Sequence, residues 1–201
     1  MKNGKKKLWL ALSAAILVLS AVAGTIAYFT DNDSDANTFT VGNVKITLDE
    51  AKTDENGEPV AGADRVTANT YKLLPGSSYT KDPTVHVADN SGDCWVFVKV
   101  VNEIEAIESA GKTVAGQMAE NGWTLVPGET NVYAYKEAVE GGTDLPVFES
   151  FDIDGDSVTG SVLEAYEGKT ITVIAYAIQA AGFGDYNAAW AALAQQLAQN
   201  G

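Results

Sequence analysis

The sequence predicts a mainly β protein, an antiparallel β-sandwich with one α-helix at the C-terminus. Many short stretches rich in β-branched and aromatic residues are separated by turn residues such as Pro-Gly and Asp-Asn, which is typical of a sandwich. Near the C-terminus, apolar residues recur at the spacing of an α-helix over a long stretch. With 201 residues, of which 46 % are apolar and 20 % charged, the chain has the size and composition of one globular domain.

Two long apolar segments predict the central strands. Residues 94–101 (CWVFVKVV) are almost all β-branched or aromatic, so we expect both faces of this strand to be covered. Residues 170–179 (TITVIAYAIQ) predict a second central strand. Shorter strands are predicted at residues 44–48, 84–87, 123–126, 132–135, from 147 onward, and at 157–163.

Three other segments carry predictions of local structure. Residues 49–69 are charged and contain Asn56-Gly57, so we expect a long loop or a hairpin that protrudes from the domain. Residues 104–120 have room for a short helix. Residues 185–198 place apolar side chains at helical spacing, with Asp185 as the N-cap, and predict the C-terminal helix. The sandwich with this helix is expected to occupy residues 44–201 without an internal linker.

The charge is strongly unbalanced along the chain. There are 13 basic and 27 acidic residues, a net charge of -14, and four of the basic residues are lysines within the first seven positions. The rest of the chain therefore carries nine basic residues against 27 acidic ones. A domain this acidic repels phosphate groups, so we expect no nucleic-acid partner and no docking on anionic lipid.

The first 27 residues predict a secretory signal peptide. A basic start is followed by an apolar stretch and then by small residues, which is the order of such signals. Cleavage after Ala23 and cleavage after Ala27 both fit. The alternative is an uncleaved anchor, because residues 8–29 carry no charge and are long enough to span a bilayer. In both cases the lysines keep the N-terminus inside and the body lies outside the membrane.

A family resemblance follows from the residues around this cleavage region. The lysine-rich start, residues 24–31 (GTIAYFTD) and residues 37–44 (NTFTVGNV) resemble the substrates of the SipW-type signal peptidase, the TasA/camelysin family of Gram-positive bacteria. The resemblance implies that this peptidase cuts between Ala27 and Tyr28. It returns at residues 74–76, 79–85 and 175–179.

The resemblance also implies a fold and a role. TasA-like proteins are jelly-roll sandwiches that form extracellular biofilm fibres, in which the N-terminal segment of one subunit completes the sheet of the next. We therefore expect a jelly-roll-like domain that associates with itself or with related fibre subunits. Residues 28–43 would be the joining segment, because a freed terminus with strand-like residues can add to a sheet edge. Its assembly residues would be Tyr28, Phe29, Phe39 and Val41. A disordered tail on a monomer is the alternative.

His86 and Cys94 are the residues best suited to catalysis or metal binding. Camelysin-like proteins have been classed as metallopeptidases, but this chain has one histidine, no His-Glu-x-x-His motif and one cysteine. We therefore expect no metal, no cofactor and no enzymatic activity, with His86 as a half-exposed strand residue. Cys94 is expected to be a buried, unreactive thiol. A reactive pair with His86 and an intermolecular disulfide are the alternatives for Cys94.

Two further groups of residues are candidate binding sites. Asp152, Asp154 and Asp156 alternate as in calcium loops, but the sixth and twelfth positions hold Ser157 and Leu163 instead of Gly and Glu. We prefer an acidic turn there and leave a weak calcium site open. Aromatic residues could form a carbohydrate platform, but in a sandwich such residues usually fill the core. These residues are Trp95, Trp123, Tyr133, Tyr135, Tyr176 and Trp190.

The sequence thus predicts a secreted structural subunit of matrix or cell-surface fibres. One alternative is a monomeric module that binds a cell-wall glycan or a host protein. The other is a camelysin-like metallopeptidase, which the single histidine disfavours.

Overall fold

A computed structural model describes residues 38–200, of which Asn200 is described by its backbone alone. The predicted signal peptide, its cleavage site at Ala27 and Tyr28, and the assembly residues Tyr28 and Phe29 lie outside the described residues. The described chain falls within one compact unit, Asp35–Gly201. No helix in residues 38–200 has both the length and the apolar character needed to cross a bilayer.

Over these residues the chain forms ten strands and three α-helices. The strands are β1 (Thr38–Val41), β2 (Ile46–Asp49), β3 (Ser78–Thr80), β4 (Thr84–Val87), β5 (Cys94–Asn102), β6 (Trp123–Leu125), β7 (Val132–Tyr135), β8 (Asp144–Pro146), β9 (Ser150–Asp152) and β10 (Ile171–Gln179). The helices are α1 (Val114–Glu120), α2 (Gly160–Leu163) and α3 (Tyr186–Asn200). The predicted fold class, mainly β with antiparallel sheets and a C-terminal helix, is confirmed.

The strands form three sheets. A five-stranded sheet has the order β1-β10-β5-β7-β6, a three-stranded sheet has the order β2-β4-β8, and β3 pairs with β9. Neighbouring strands are antiparallel except for β1 and β10, which are parallel. The parallel pair was not foreseen, and it places the N-terminal strand at the outer edge of the largest sheet.

The main core lies between the five-stranded and the three-stranded sheets. Val96 and Val98 of β5 belong to the same buried cluster as Leu48 of β2 and Val85 of β4. Since side chains alternate along a strand, the intervening residue Phe97 points to the opposite face of its sheet. There it is fully buried in a second cluster.

Helix α3 covers that opposite face. Leu193 of α3 is fully buried in the second cluster, and the ring of Trp190 lies 5.2 Å from that of Phe97. The helix begins where its sequence predicts, because the Asp185 carboxylate accepts a hydrogen bond of 2.9 Å from the backbone N–H of Ala188. Both faces of β5 are therefore covered, one by the other sheet and one by the helix.

Residues 157–163 were predicted as a strand, and this prediction is wrong. The segment folds into α2 and continues as a turn of 3-10 helix at Glu164–Tyr166. The reason is visible in the spacing: Val158 is buried and Leu163 packs on the core, while the alternate position that a strand would fill is Gly160. Residues 147–148, predicted to open a strand, lie between β8 and β9.

The segment 49–69 was expected to be a long loop or a hairpin that protrudes, and the structure anchors parts of it to the domain. Glu50 and Thr53 are buried, and the backbone of Glu50 pairs with that of Val66. Even the predicted turn packs against the domain, because Gly57 has φ +83° and a Cβ there would lie 2.7 Å from the Cα of Tyr79. The segment is thus docked on the domain at these positions, while residues 58–65 are exposed.

Candidate functional site

The described part of the N-terminal segment is β1, the outermost strand of the five-stranded sheet. Thr38, Phe39, Thr40 and Val41 pair in parallel with residues 175–178 of β10. The first three side chains are exposed, and Val41 is partly buried beside the second cluster. Strand β1 is therefore held to the sheet mainly through its backbone, with few side-chain contacts.

Phe39 is the principal side-chain anchor of β1. Its ring stacks on that of Tyr176, with centroids 5.4 Å apart and planes inclined by 16°, although 37 % of Phe39 is exposed. The strand ends at Gly42, which has φ +87° and leaves no room for a Cβ beside Gln179. Of the predicted assembly residues, Phe39 and Val41 thus lie on an exposed edge strand followed by a turn that requires glycine.

His86 lies on the middle strand of the three-stranded sheet, between two carboxylates. Its Nδ1 is 2.6 Å from Oδ1 of Asp144 on β8, and its Nε2 is 3.1 Å from Oδ1 of Asp49 on β2. A neutral imidazole has one N–H, so only the protonated ring donates to both carboxylates. Burial alone would lower the pKa of His86, but the bonds to Asp144 and Asp49 raise it. His86 therefore ties three strands together and is, as expected, a half-exposed strand residue.

Arg65 extends this cluster from the segment 49–69. Its guanidinium bonds the carboxylates of Asp49 and Asp82 and also donates to their backbone carbonyl oxygens. Burial opposes ionisation here, but these bonds raise the pKa of Arg65 and lower that of Asp49. Sequence reasoning missed the partners of His86, because they become neighbours only through the strand register.

Cys94 is a buried thiol at the start of β5. Burial, with a smaller contribution from the nearby Asp93 carboxylate, raises its pKa to about 11. A thiol of this kind is protonated at neutral pH and is a weak nucleophile. The structure places the nitrogens of His86 against Asp49 and Asp144, so His86 is not paired with Cys94.

Two of the three aspartates of the acidic turn, Asp152 and Asp154, accept hydrogen bonds through their carboxylates. Asp152 accepts a hydrogen bond of 2.6 Å from the hydroxyl of Ser78. Asp154 accepts from the backbone N–H of Asp156 and from the hydroxyl of Ser157, and these bonds lower its pKa. This is the geometry of a turn closed by an aspartate side chain.

The aromatic residues do not form a platform. Trp123 and Tyr176 are buried, and Trp190 packs between α3 and the five-stranded sheet. Trp95 packs against the same helix, where its ring lies 6.5 Å from that of Tyr186. Tyr133 and Tyr135 are partly buried against the main core. These rings fill the two cores, as aromatic residues in a sandwich usually do.

Comparison with known families finds a similarity in the N-terminal part of the chain. The family model described as camelysin metallo-endopeptidase matches residues 3–79. Over these residues the chain is similar to the camelysin family. The match runs from the lysine-rich start through β1 and β2 into β3, and the resemblance to the TasA/camelysin family is confirmed. No curated protein and no solved structure matches the chain.

The family description corrects one prediction. We expected no enzymatic activity, but the camelysin family is described as a metallo-endopeptidase family. That expectation is therefore wrong at the level of the family. Proteins of the TasA/camelysin family are extracellular or surface proteins.

A metallo-endopeptidase holds its metal with a group of ligating side chains. The described residues show whether such a group is present in this part of the chain. Within residues 38–199, no three His, Cys, Asp or Glu side chains are grouped so that they could hold a metal ion. Both nitrogens of His86 are engaged by carboxylates, and the Cys94 thiol is buried. The described side chains do not fit a catalytic metal.

Proposed function

We propose that the protein is a secreted subunit of matrix or cell-surface fibres, and that residues 28–41 join each copy to the next. The observation that carries this proposal is β1, a four-residue strand at the outer edge of the largest sheet, with three exposed side chains. The family match and the predicted signal peptide support export. SipW-type processing after Ala27 would free Tyr28 as the new N-terminus.

The position of β1 suits an exchange between copies. Its contacts with β10 are backbone hydrogen bonds and the stacking of Phe39 on Tyr176, and an identical segment from a second copy can make the same ones. A short edge strand with few buried contacts opens at low cost compared with the core. Exchange therefore replaces equivalent contacts and adds a connection between subunits.

The geometry of such a contact favours open assemblies. The donating surface is the N-terminal strand and the accepting surface is the edge of β10, so the two sides of the contact are different. Contacts of this head-to-tail type generate filaments when the rotation between copies does not close a ring.

We expect residues 28–201 to assemble and residues 42–201 to remain single particles. The shorter protein lacks the whole of β1, including the partly buried Val41, but keeps every fully buried residue of both cores, so its circular dichroism should still show a folded β protein. Electron microscopy and sedimentation of the two proteins measure the difference. Filaments from both proteins would contradict a role of β1, and single particles from both would favour the monomeric binding module.

Two substitutions refine this test. Phe39→Ala removes the ring that stacks on Tyr176 and should weaken assembly, whereas Thr38→Ala, on the same strand and exposed, should not. A synthetic peptide of residues 28–41 should bind the 42–201 protein, and the same peptide with Phe39→Ala should bind more weakly. Equal binding of the two peptides would show that Phe39 does not anchor the strand.

A second candidate function, endopeptidase activity, is favoured by the family description. Its test is cleavage of casein by the purified chain, with and without a metal chelator. Cleavage that the chelator abolishes and added zinc restores would establish it. The variant His86→Gln asks whether the one histidine takes part: unchanged cleavage would assign the activity to other residues.

A further inference from the structure

A lysine, an asparagine and a glutamate meet where the docked segment 49–69 packs against the domain. Glu50 directly follows β2, Lys81 lies between β3 and β4, and Asn69 lies in the chain that leads to β3. The Nζ of Lys81 is 2.5 Å from Oε2 of Glu50, and the Nδ2 of Asn69 is 2.9 Å from Oε1 of the same carboxylate. One carboxylate thus contacts both an amine and an amide nitrogen.

The contact between Glu50 and Lys81 is shielded from water. The side chain of Glu50 is 3 % exposed and that of Lys81 is 11 % exposed. Tyr71 lies nearby, and burial together with the Glu50 carboxylate raises the pKa of this tyrosine. Its ring packs edge-on against Tyr79 and Phe151, so aromatic side chains wall off this part of the domain.

The amide of Asn69 is held at each of its polar atoms. Its Oδ1 accepts a hydrogen bond of 2.9 Å from the backbone N–H of Thr53. Its Nδ2 donates to the backbone carbonyl of Ala51 at 2.8 Å as well as to Glu50. A fixed N–H directed at the carbonyl oxygen is the arrangement that stabilises negative charge when an amide is attacked.

We propose that Lys81 and Asn69 form a covalent side-chain amide, an isopeptide bond, with Glu50 as the catalytic residue. Glu50 Oε2 accepts a proton from the Lys81 ammonium, which leaves a neutral amine as the nucleophile. The Nζ lone pair attacks Cγ of Asn69, and the N–H of Thr53 stabilises the oxyanion.

The reaction is completed by loss of ammonia. As the Cγ–Nδ2 bond breaks, Glu50 returns its proton to Nδ2, and a second proton passes from Nζ to the departing nitrogen through the same carboxylate. The departing nitrogen then carries four protons, so the products are an Nζ–Cγ amide and an ammonium ion, with Glu50 again a carboxylate, no change of oxidation state and no co-reactant. A carboxylate that contacts both nitrogens can carry each proton, which is why Glu50 is placed in this role.

The bond would lock the docked segment to the strands beneath it. It closes a ring from residue 69 to residue 81 and ties the chain that follows β2 to the start of β4. A cross-link of this kind restricts the unfolded chain as a disulfide does. The chain has one cysteine and cannot form an intramolecular disulfide. The isopeptide bond would give it a covalent cross-link that needs no cysteine.

The test is mass spectrometry of the full chain as it is produced. With the bond, the intact mass is lower than the sequence mass by one ammonia. Trypsin then releases residues 66–72 joined to residues 73–99, because Lys81 is no longer a cleavage site. Finding this joined pair separates the bond from ammonia loss at Asn56-Gly57, which would leave the two peptides separate.

Variants identify the role of each residue. Lys81→Met and Glu50→Gln should each remove the joined pair, whereas Lys72→Arg, at a neighbouring lysine outside the contact, should keep the bond. Asn69→Asp should still form the bond by losing water, giving the same final mass as the unchanged chain. An intact mass equal to the sequence mass, with residues 66–72 and 73–81 released separately, overturns the proposal and leaves a buried ion pair. The unchanged chain alone decides this, even where a variant does not fold.

Discussion

Replacing Trp123 by alanine should lower the free energy of unfolding by about 3–5 kcal/mol, the usual cost of removing a buried tryptophan. Trp123 lies on β6 of the five-stranded sheet and is 2 % exposed. Its ring packs against Tyr135, and its indole N–H donates a hydrogen bond of 2.8 Å to the carbonyl of Pro146 on β8. One side chain thus fills the core and connects two sheets. Equilibrium unfolding in urea measures the loss.

The variant Trp123→Phe separates the two contributions. It keeps an aromatic ring but removes the indole N–H and leaves the carbonyl of Pro146 without this donor, so we expect a smaller loss of about 1–3 kcal/mol. A Trp123→Ala protein that unfolds at the same urea concentration as the unchanged protein would contradict the packing of the two sheets at this end.

Leu193→Ala should lower the free energy of unfolding by about 2–5 kcal/mol, as expected for a fully buried leucine. Leu193 packs with Phe97 in the cluster between α3 and the five-stranded sheet. Its loss leaves a cavity beneath the middle of the helix and weakens the contact of α3 with the sheet. Urea unfolding followed by tryptophan fluorescence measures the effect, since Trp190 lies in the same interface.

Gln195→Ala is the matched control for Leu193→Ala. Gln195 is two residues further along α3 and is exposed, so its replacement should change stability by less than about 0.5 kcal/mol. Equal losses for the two variants would mean that α3 is not docked through Leu193.

The central strands and the C-terminal helix could be predicted because local sequence decides them. Residues of β5 and β10 are almost all β-branched, aromatic or small and apolar, and that pattern excludes most alternatives. Helix α3 has both a capping aspartate and helical spacing. The sequence could not predict whether a helix or a sheet packs on the second face of β5. A strand face that is buried is apolar in both cases.

The contacts of Glu50 could not be predicted from the sequence. Its partners Asn69 and Lys81 are 19 and 31 residues away, and no motif spacing links them. The charged residues between Glu50 and Asn69 are exposed, as their composition favours, so nothing in that stretch indicates that Glu50 itself is buried against Lys81. The same reason explains why His86 could be identified as a strand residue while Asp49 and Asp144 could not be identified as its neighbours.

The head-to-tail contact between β1 of one copy and β10 of the next would give the proposed fibre a direction. Every subunit would offer its N-terminal strand toward one end and its open β10 edge toward the other, so the two tips would expose different surfaces. A cell could then anchor, extend or terminate each tip by a separate partner, and the order of subunits along the fibre would record the order in which they were added.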